Sequence, residues 1–246
     1  MTSVALAAVA LVVGALIGAV GIGGVLLVPA LMALGALTAH EAAATSLATF
    51  FFTGLLGTWL FQRKGSIDWP KTALVCVAAV AFSAWGAVVA KQFSALVLVR
   101  IIAVLIIFAG AYIFVPPPSG QTVQRSAWRE RVVLLAVGAA AGFGSGLSGA
   151  GGPLFSVPLM LVAGFPPLLA VGTSQVLQIV SAGAGTLANW HYGVIDWQLG
   201  ALTTVFELMG VMVGVRIAHA ASTQQLKKGA AILCLMVGTL MGARTL

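Results

Sequence analysis

Residues 132–190 contain no Asp, Glu, Lys, Arg or His. No other feature limits the fold so strongly, because a water-exposed surface needs polar cover along any stretch of that length. Spanning the hydrocarbon of a bilayer takes about 20 apolar residues. Residues 42–62, 72–90 and 101–120 are also uncharged, and the first charged residue is Glu41, just after His40. Across the 246 residues, 61% are hydrophobic and 7% charged, against about 25% charged in soluble domains. The chain is therefore expected to be an all-α, multi-pass membrane protein, since helices satisfy their own backbone in lipid. A soluble enzyme, a nucleic-acid binder, a secreted disulfide domain and a disordered protein are excluded. The net charge of +7 sits in short loops, where it acts as an orientation signal rather than a nucleic-acid footprint. The apolar N-terminus lacks a basic start and runs past residue 34, so it is not read as a signal peptide. Cys76 and Cys234 lie in apolar surroundings with no metal or redox spacing, and neither a metal nor another cofactor is expected.

The chain repeats itself at an offset of 128. Gly14, Gly18, Gly21, Gly23 and Gly24 fall on Gly142, Gly146, Gly149, Gly151 and Gly152. Thr45-Ser46 falls on Thr173-Ser174, and Gly57-Thr58 on Gly185-Thr186. Gly65-x-Ile67-Asp68-Trp69 falls on Gly193-x-Ile195-Asp196-Trp197. Pro29 matches Pro158 one residue out of register. Internal duplication is a mark of secondary transporters. The expected organisation is a membrane repeat over 1–115, a polar linker over 116–131 and a second membrane repeat over 132–246.

Each copy holds four hydrophobic segments, at about 4–38, 41–61, 71–90 and 96–115, then about 132–164, 168–190, 198–218 and 226–244. The first segment of each copy is interrupted by GIGG (21–24) or GAGG (149–152), then by Pro29 or Pro158. It reads as two half-helices meeting at a glycine turn, broken or re-entrant, with the prolines as helix breaks or hinges. If these segments cross, the basic residues divide seven against five. If they double back, Arg63, Lys64, Lys71, Arg125, Arg129, Arg131, Arg216, Lys227 and Lys228 face Lys91, Arg100 and Arg244. That nine-to-three bias is the better positive-inside signal. It makes the copies inverted, with both termini outside.

The runs GIGGVLLVPALMALG with HEAAATSL, and GLSGAGGPLFSVPLM with VGTSQ and HYGVIDW, resemble the sulfite exporter TauE/SafE family over nearly the whole chain. The resemblance implies a small prokaryotic inner-membrane, multi-pass permease for sulfite, organosulfonates or related sulfur-containing anions. It also implies a small anionic substrate and the lipid bilayer as partners, and no nucleic acid. A homo-oligomer remains open.

An anion at mid-depth needs donors, and the apolar segments carry no Lys or Arg there. A half-helix that starts at a glycine offers free N–H groups and the positive end of its dipole. The substrate-binding candidates are therefore Gly21, Gly23, Gly24, Gly149, Gly151 and Gly152. The hydroxyls of Thr45, Ser46, Thr173 and Ser174 and the amides of Gln175 and Gln178 complete the set. The alternative is that the glycines only allow close packing and the hydroxyls bond to carbonyls of their own helices. Glu207 is the lone carboxylate near the centre of a span and is a coupling candidate. His191 is a gating candidate at a segment end. His40 is expected to cap the second segment, and Asp68 and Asp196 to cap the third ones.

No catalytic residue is expected. The remote rival is a rhomboid-like serine protease, for which Gly146-Leu147-Ser148-Gly149 spells GxSG and His191 is the available base. Against it, Ser148 falls on Val20 in the repeat. A passive anion channel or a carrier of another small solute is the other alternative. The chain is expected to be a secondary transporter that exports a sulfur-containing anion by alternating access.

Overall fold

The computed structural model describes residues 2–21, 23–113, 126–149, 151–190 and 194–220, with residues 232, 235, 236, 238–240, 242 and 243 beyond them. All regular structure among them is helical: α1 (Thr2–Val20), a 3-10 turn at Gly24–Leu26, α2 (Leu27–Leu34), α3 (Ala39–Arg63), α4 (Trp69–Ala90), α5 (Ala95–Ile113), α6 (Ala127–Ser148), α7 (Pro153–Val162), α8 (Pro167–Trp190) and α9 (Trp197–Ala220). Five of these are long and apolar enough to cross a bilayer: α3, α4, α6, α8 and α9. The protein is a multi-pass membrane protein.

The helix starts follow local chemistry. Thr38 and Glu41 form a reciprocal capping box at α3, in which the Glu41 N–H donates to Thr38 Oγ1 and the Thr38 N–H to Glu41 Oε2 at 2.8 Å. The cap is thus Thr38, not His40. The His40 ring instead lies 3.3 Å from the Ala90 carbonyl. Asp68 caps α4, with Pro70 in its first turn. Asp196 accepts from the N–H groups of Gln198 and Leu199 at the start of α9. Ser126 caps α6, which begins at Ala127, inside the stretch read as linker. Residues 116–125 of that stretch, together with Cys234, lie outside the described residues.

Glycines fix how the helices pair. Gly14 and Gly18 of α1 press on the backbone at Glu207 and Val211 of α9, and both numbers increase together, so α1 and α9 run parallel. Gly138, Gly142 and Gly146 of α6 press in the same way on Val75, Ala79 and Ser83 of α4. A Cβ at any of these glycines meets main-chain atoms that have nowhere to go. Between these two seams α3 and α8 run antiparallel: Gly57 lies against Gln175, Gly54 against Ile179, and Gly185 against Leu47. Thr72 meets Thr173 and Ser83 meets Ser181 along α4 and α8. The long helices therefore stand in the order α1, α9, α3, α8, α4, α6.

The first segment of each copy is broken, but not into equal halves. At 1.5 Å per residue α1 is about 28 Å long and α6 about 33 Å, close to a full crossing, whereas α2 and α7 reach only about 12 and 15 Å. The short pieces double back. Gly23 rests on Val13, Leu16 and Ile17 of α1, and beyond α2 Gly35 reaches Leu199 near the start of α9. The Phe155 ring lies over Gly144 of α6, and beyond α7 Phe165 sits 6.0 Å from the Lys71 ammonium at the start of α4. The breaks fall at glycines and not at the prolines. Gly21 and Gly149 carry φ of +77° and +66°, and each N–H donates back one turn, to Ile17 and Ser145. Only glycine takes that left-handed cap without strain. Pro29 is the third residue of α2 and Pro158 lies inside α7.

Candidate functional site

The two breaks meet the central helices from opposite ends. Gly21 lies against Val157 and Pro153 of α7 and Ser174 of α8, the serine hydroxyl 3.4 Å from where a Cβ would sit. Gly149 lies against Ala43 of α3, Gly151 under the Phe50 ring, and Gly152 against Leu177 and Ser181. After each break the chain restarts at a glycine with no side-chain cap, Gly23 before the 3-10 turn that leads into α2 and Gly152 before α7. Gly24 and Gly152 are buried. Two uncapped, buried helix starts are an unusual thing to place inside a protein, because their N–H groups point outward along the axis with the positive end of the dipole.

The hydroxyl and amide candidates separate into three groups. Thr45 and Thr173 tie helices together: Thr45 Oγ1 accepts from the Asp196 N–H at 3.0 Å, and Thr173 shares a hydrogen bond with Thr72 at 3.0 Å. Ser174 donates to Val171 of its own helix at 2.7 Å, and Gln178 donates to the Phe50 carbonyl and to Thr53 Oγ1 at 3.2 and 2.8 Å. Ser46 Oγ has no hydrogen-bond partner, and neither has Gln175 Oε1, although the Gln175 amide donates to Ile17 O at 3.3 Å. Both residues are fully buried. A buried polar atom without a partner costs about 1–3 kcal/mol, so among the hydroxyl and amide candidates these two have the most to gain from a guest.

Glu207 is fully buried on α9, and neither carboxyl oxygen has a hydrogen-bond partner. Its carboxyl stands beside Thr49 without reaching ordinary hydrogen-bond geometry. Thr49 donates to the Ser46 carbonyl at 2.9 Å, so the carboxyl and the Ser46 position are linked through one hydroxyl. Thr49, Thr53, Ser83, Ser145, Ser156 and Ser181 are further buried hydroxyls. Sequence reasoning passed them over, because a hydroxyl signals nothing until the neighbouring helix is known. Ser156 Oγ, on the re-entrant α7, is also unpartnered.

His191 lies outside the described residues, so its gating assignment has no structural counterpart. Ser148, the serine of the GxSG string, is buried and donates to the Gly144 carbonyl of its own helix at 2.6 Å. Among the described residues no cluster of His, Cys, Asp and Glu is able to hold a metal ion. Trp190 and Trp197 make an edge-to-face pair at 5.2 Å, both largely exposed, as suits rings at a membrane interface.

Two broken segments that double back beside the central helices, with buried, unpartnered polar atoms among the helices, suit the transporter class. Comparison with known sequences agrees. Residues 6–241 match the family model described as Sulfite exporter TauE/SafE, and the chain belongs to that family of membrane transporters. It is similar to the Probable membrane transporter protein YunE of Bacillus subtilis, with 26% identity covering 97% of this chain and 96% of the relative. It is similar also to YfcA of Escherichia coli, a protein of the same description, with 26% identity covering 97% and 87%. A third such protein, from Xylella fastidiosa, is 33% identical over 45% of this chain and 43% of its own length. No solved structure matches the chain.

Proposed function

We propose that this protein exports sulfite, an organosulfonate or a related sulfur-containing anion across the prokaryotic inner membrane by alternating access. The observation that carries the reading is the pair of uncapped, buried helix starts at Gly23-Gly24 and Gly151-Gly152. They supply the N–H donors that a lysine-free interior lacks, and no Cβ keeps a ligand away. Ser46 and Gln175 complete the shell with their unpartnered atoms. Glu207 holds or releases a proton during the cycle, and Thr49 relays its state to the Ser46 position.

We read the two copies as inverted repeats. In support, α1, α3 and α9 run one way and α4, α6 and α8 the other, so matched helices point oppositely. With Thr2→Cys and Ser126→Cys in a cysteine-free chain, an impermeant thiol reagent is expected to label the two from opposite sides. Same-side labelling sinks the inversion. Export follows from sign, since a membrane potential is worth about 2.3 kcal/mol per charge per 100 mV and drives anions out of a negative interior.

The direct test is a thermal-shift panel of purified protein with sulfite, sulfate, thiosulfate, sulfoacetate and taurine. Stabilisation by at least one of the anions is expected. A shift with taurine alone counts against the anion reading.

A further inference from the structure

A cavity of about 300 Å³ opens where α3 begins, α4, α6 and α8 end, and α5 begins. At about 30 Å³ per water, it has room for about ten waters or one small organic anion. Its polar lining is His40, Lys91 and Asn189, and its apolar walls include Ala43 and Leu47. Lys91 is the one formal charge in the lining, and no acidic residue is among the lining residues. Its ammonium donates to the Ala188 carbonyl at 3.2 Å, which anchors the charge at the cavity wall. Burial pulls the Lys91 ammonium below the ordinary lysine range. The cavity backs onto the second break, since Gly146 lines it and Ala43 is the residue on which Gly149 packs.

At the other end of the molecule the positions matched to Asn189, His40 and Ala44 are apolar. Phe61 replaces Asn189 and is fully buried, Leu168 replaces His40, and Gly172 replaces Ala44 and packs directly on the Ser66 carbonyl. The cavity lies at the end that carries Lys91, on the side with three of the twelve basic residues. By the positive-inside rule that side is external.

We propose that this cavity is the outer anion vestibule of the permease, in which Lys91 receives a small sulfonate- or sulfite-sized oxyanion passing the Gly149 break. The proposal rests on the anion-transport reading and deepens it. A partly buried cation in a cleft with apolar walls focuses the field and raises the local concentration of anions. It places the charge at the mouth, where release is still possible, and leaves the centre to neutral donors.

The test uses the full chain with Cys76→Ala and Cys234→Ala and a single thiol at Ala90→Cys, which lines the cavity next to Lys91. The probes are two methanethiosulfonates of similar size, one with an ethylsulfonate tail and one with a trimethylammonium tail. The anionic probe is expected to react about tenfold faster than its intrinsic ratio to the cationic probe predicts, the lower end of focused-field effects. Lys91→Met is expected to abolish that preference, and added methanesulfonate to slow the anionic probe in the Lys91 protein alone. Val194→Cys, also in the lining, repeats the measurement should Ala90→Cys fold poorly. Equal normalised rates, rates unmoved by Lys91→Met, or no labelling at either position overturn the vestibule. An anion-dependent thermal shift would then still uphold the transport reading. Charge-selective labelling with no such shift upholds the cavity's selectivity and removes the permease.

Discussion

The seams α1/α9 and α6/α4 have the same construction and different contents. Gly14 against Glu207 corresponds to Gly142 against Ala79, and Gly18 against Val211 to Gly146 against Ser83. The reverse contacts, Gly214 on Ala15 and Gly86 on Phe143, also correspond at the offset of 128. What the two seams share is backbone touching backbone through glycine. The side chains at matched positions are free to differ. Ser83 donates across to the Ser181 carbonyl at 2.6 Å, and Glu207 brings a carboxyl to α3 where its counterpart brings a methyl group. The glycine contacts correspond and the side chains do not, so the two seams are expected to do unequal work.

The largest expected effects come from closing the seams. Gly18→Leu and Gly146→Leu drive a side chain into main-chain atoms. Overpacking costs about 1–3 kcal/mol where side chains yield, and more here, which consumes much of a marginal stability. Both variants are expected to lose their monodisperse peak in size-exclusion chromatography. If one survives, the seams are not equivalent. Next comes the point of difference. Glu207→Leu is expected to cut anion flux at least about tenfold, a barrier change of about 1.4 kcal/mol, while Ala79→Ser leaves it within about twofold. Full flux in Glu207→Leu reduces that carboxyl to a filler between helices.

Smaller effects sharpen the same comparison at the breaks. Alanine at Gly21 or Gly149 forces a left-handed residue, at about 1–2 kcal/mol. Gly149→Ala is expected to lower Tm further than Gly21→Ala. Its Cβ meets the Ala43 backbone, whereas that of Gly21 meets a Val157 methyl at 3.2 Å. The smallest effect is a gain. After α7 the chain turns at Gly164 with φ +76°, and at the matched position after α2 Ala36 adopts φ +55°. Ala36→Gly is expected to stabilise the protein by about 1 kcal/mol, read as a rise in Tm.

Much of the fold was legible because glycine register and charge-free length are properties of the chain alone. The offset of 128 matched Gly14-Gly18 to Gly142-Gly146, the glycines that the structure puts in the two seams, and Asp68 and Asp196 marked two helix starts. Pro29 and Pro158 misled because a proline ends a helix only when its neighbours cannot absorb it, and both lie within helices. His40 misled because the Thr38-x-x-Glu41 box two residues earlier was the stronger start signal. The candidate site was legible as a set of residue types and not as a set of roles. Thr45 and Ser46 are adjacent, yet one is bound to the α9 cap and the other has no partner, a difference set by which helix lies alongside. Lys91 was read as an orientation charge, and only the packing of five helix ends turns it toward a cavity.

The central claim is that this chain moves a sulfur-containing anion through a path lined by two broken helices. The most direct measurement is release of sulfite from proteoliposomes loaded with it, followed with and without excess external organosulfonate. Release above that of protein-free vesicles, slowed by the organosulfonate, is expected. Release no faster than from empty vesicles for sulfite and the other sulfur anions, with a neutral solute passing instead, would contradict it.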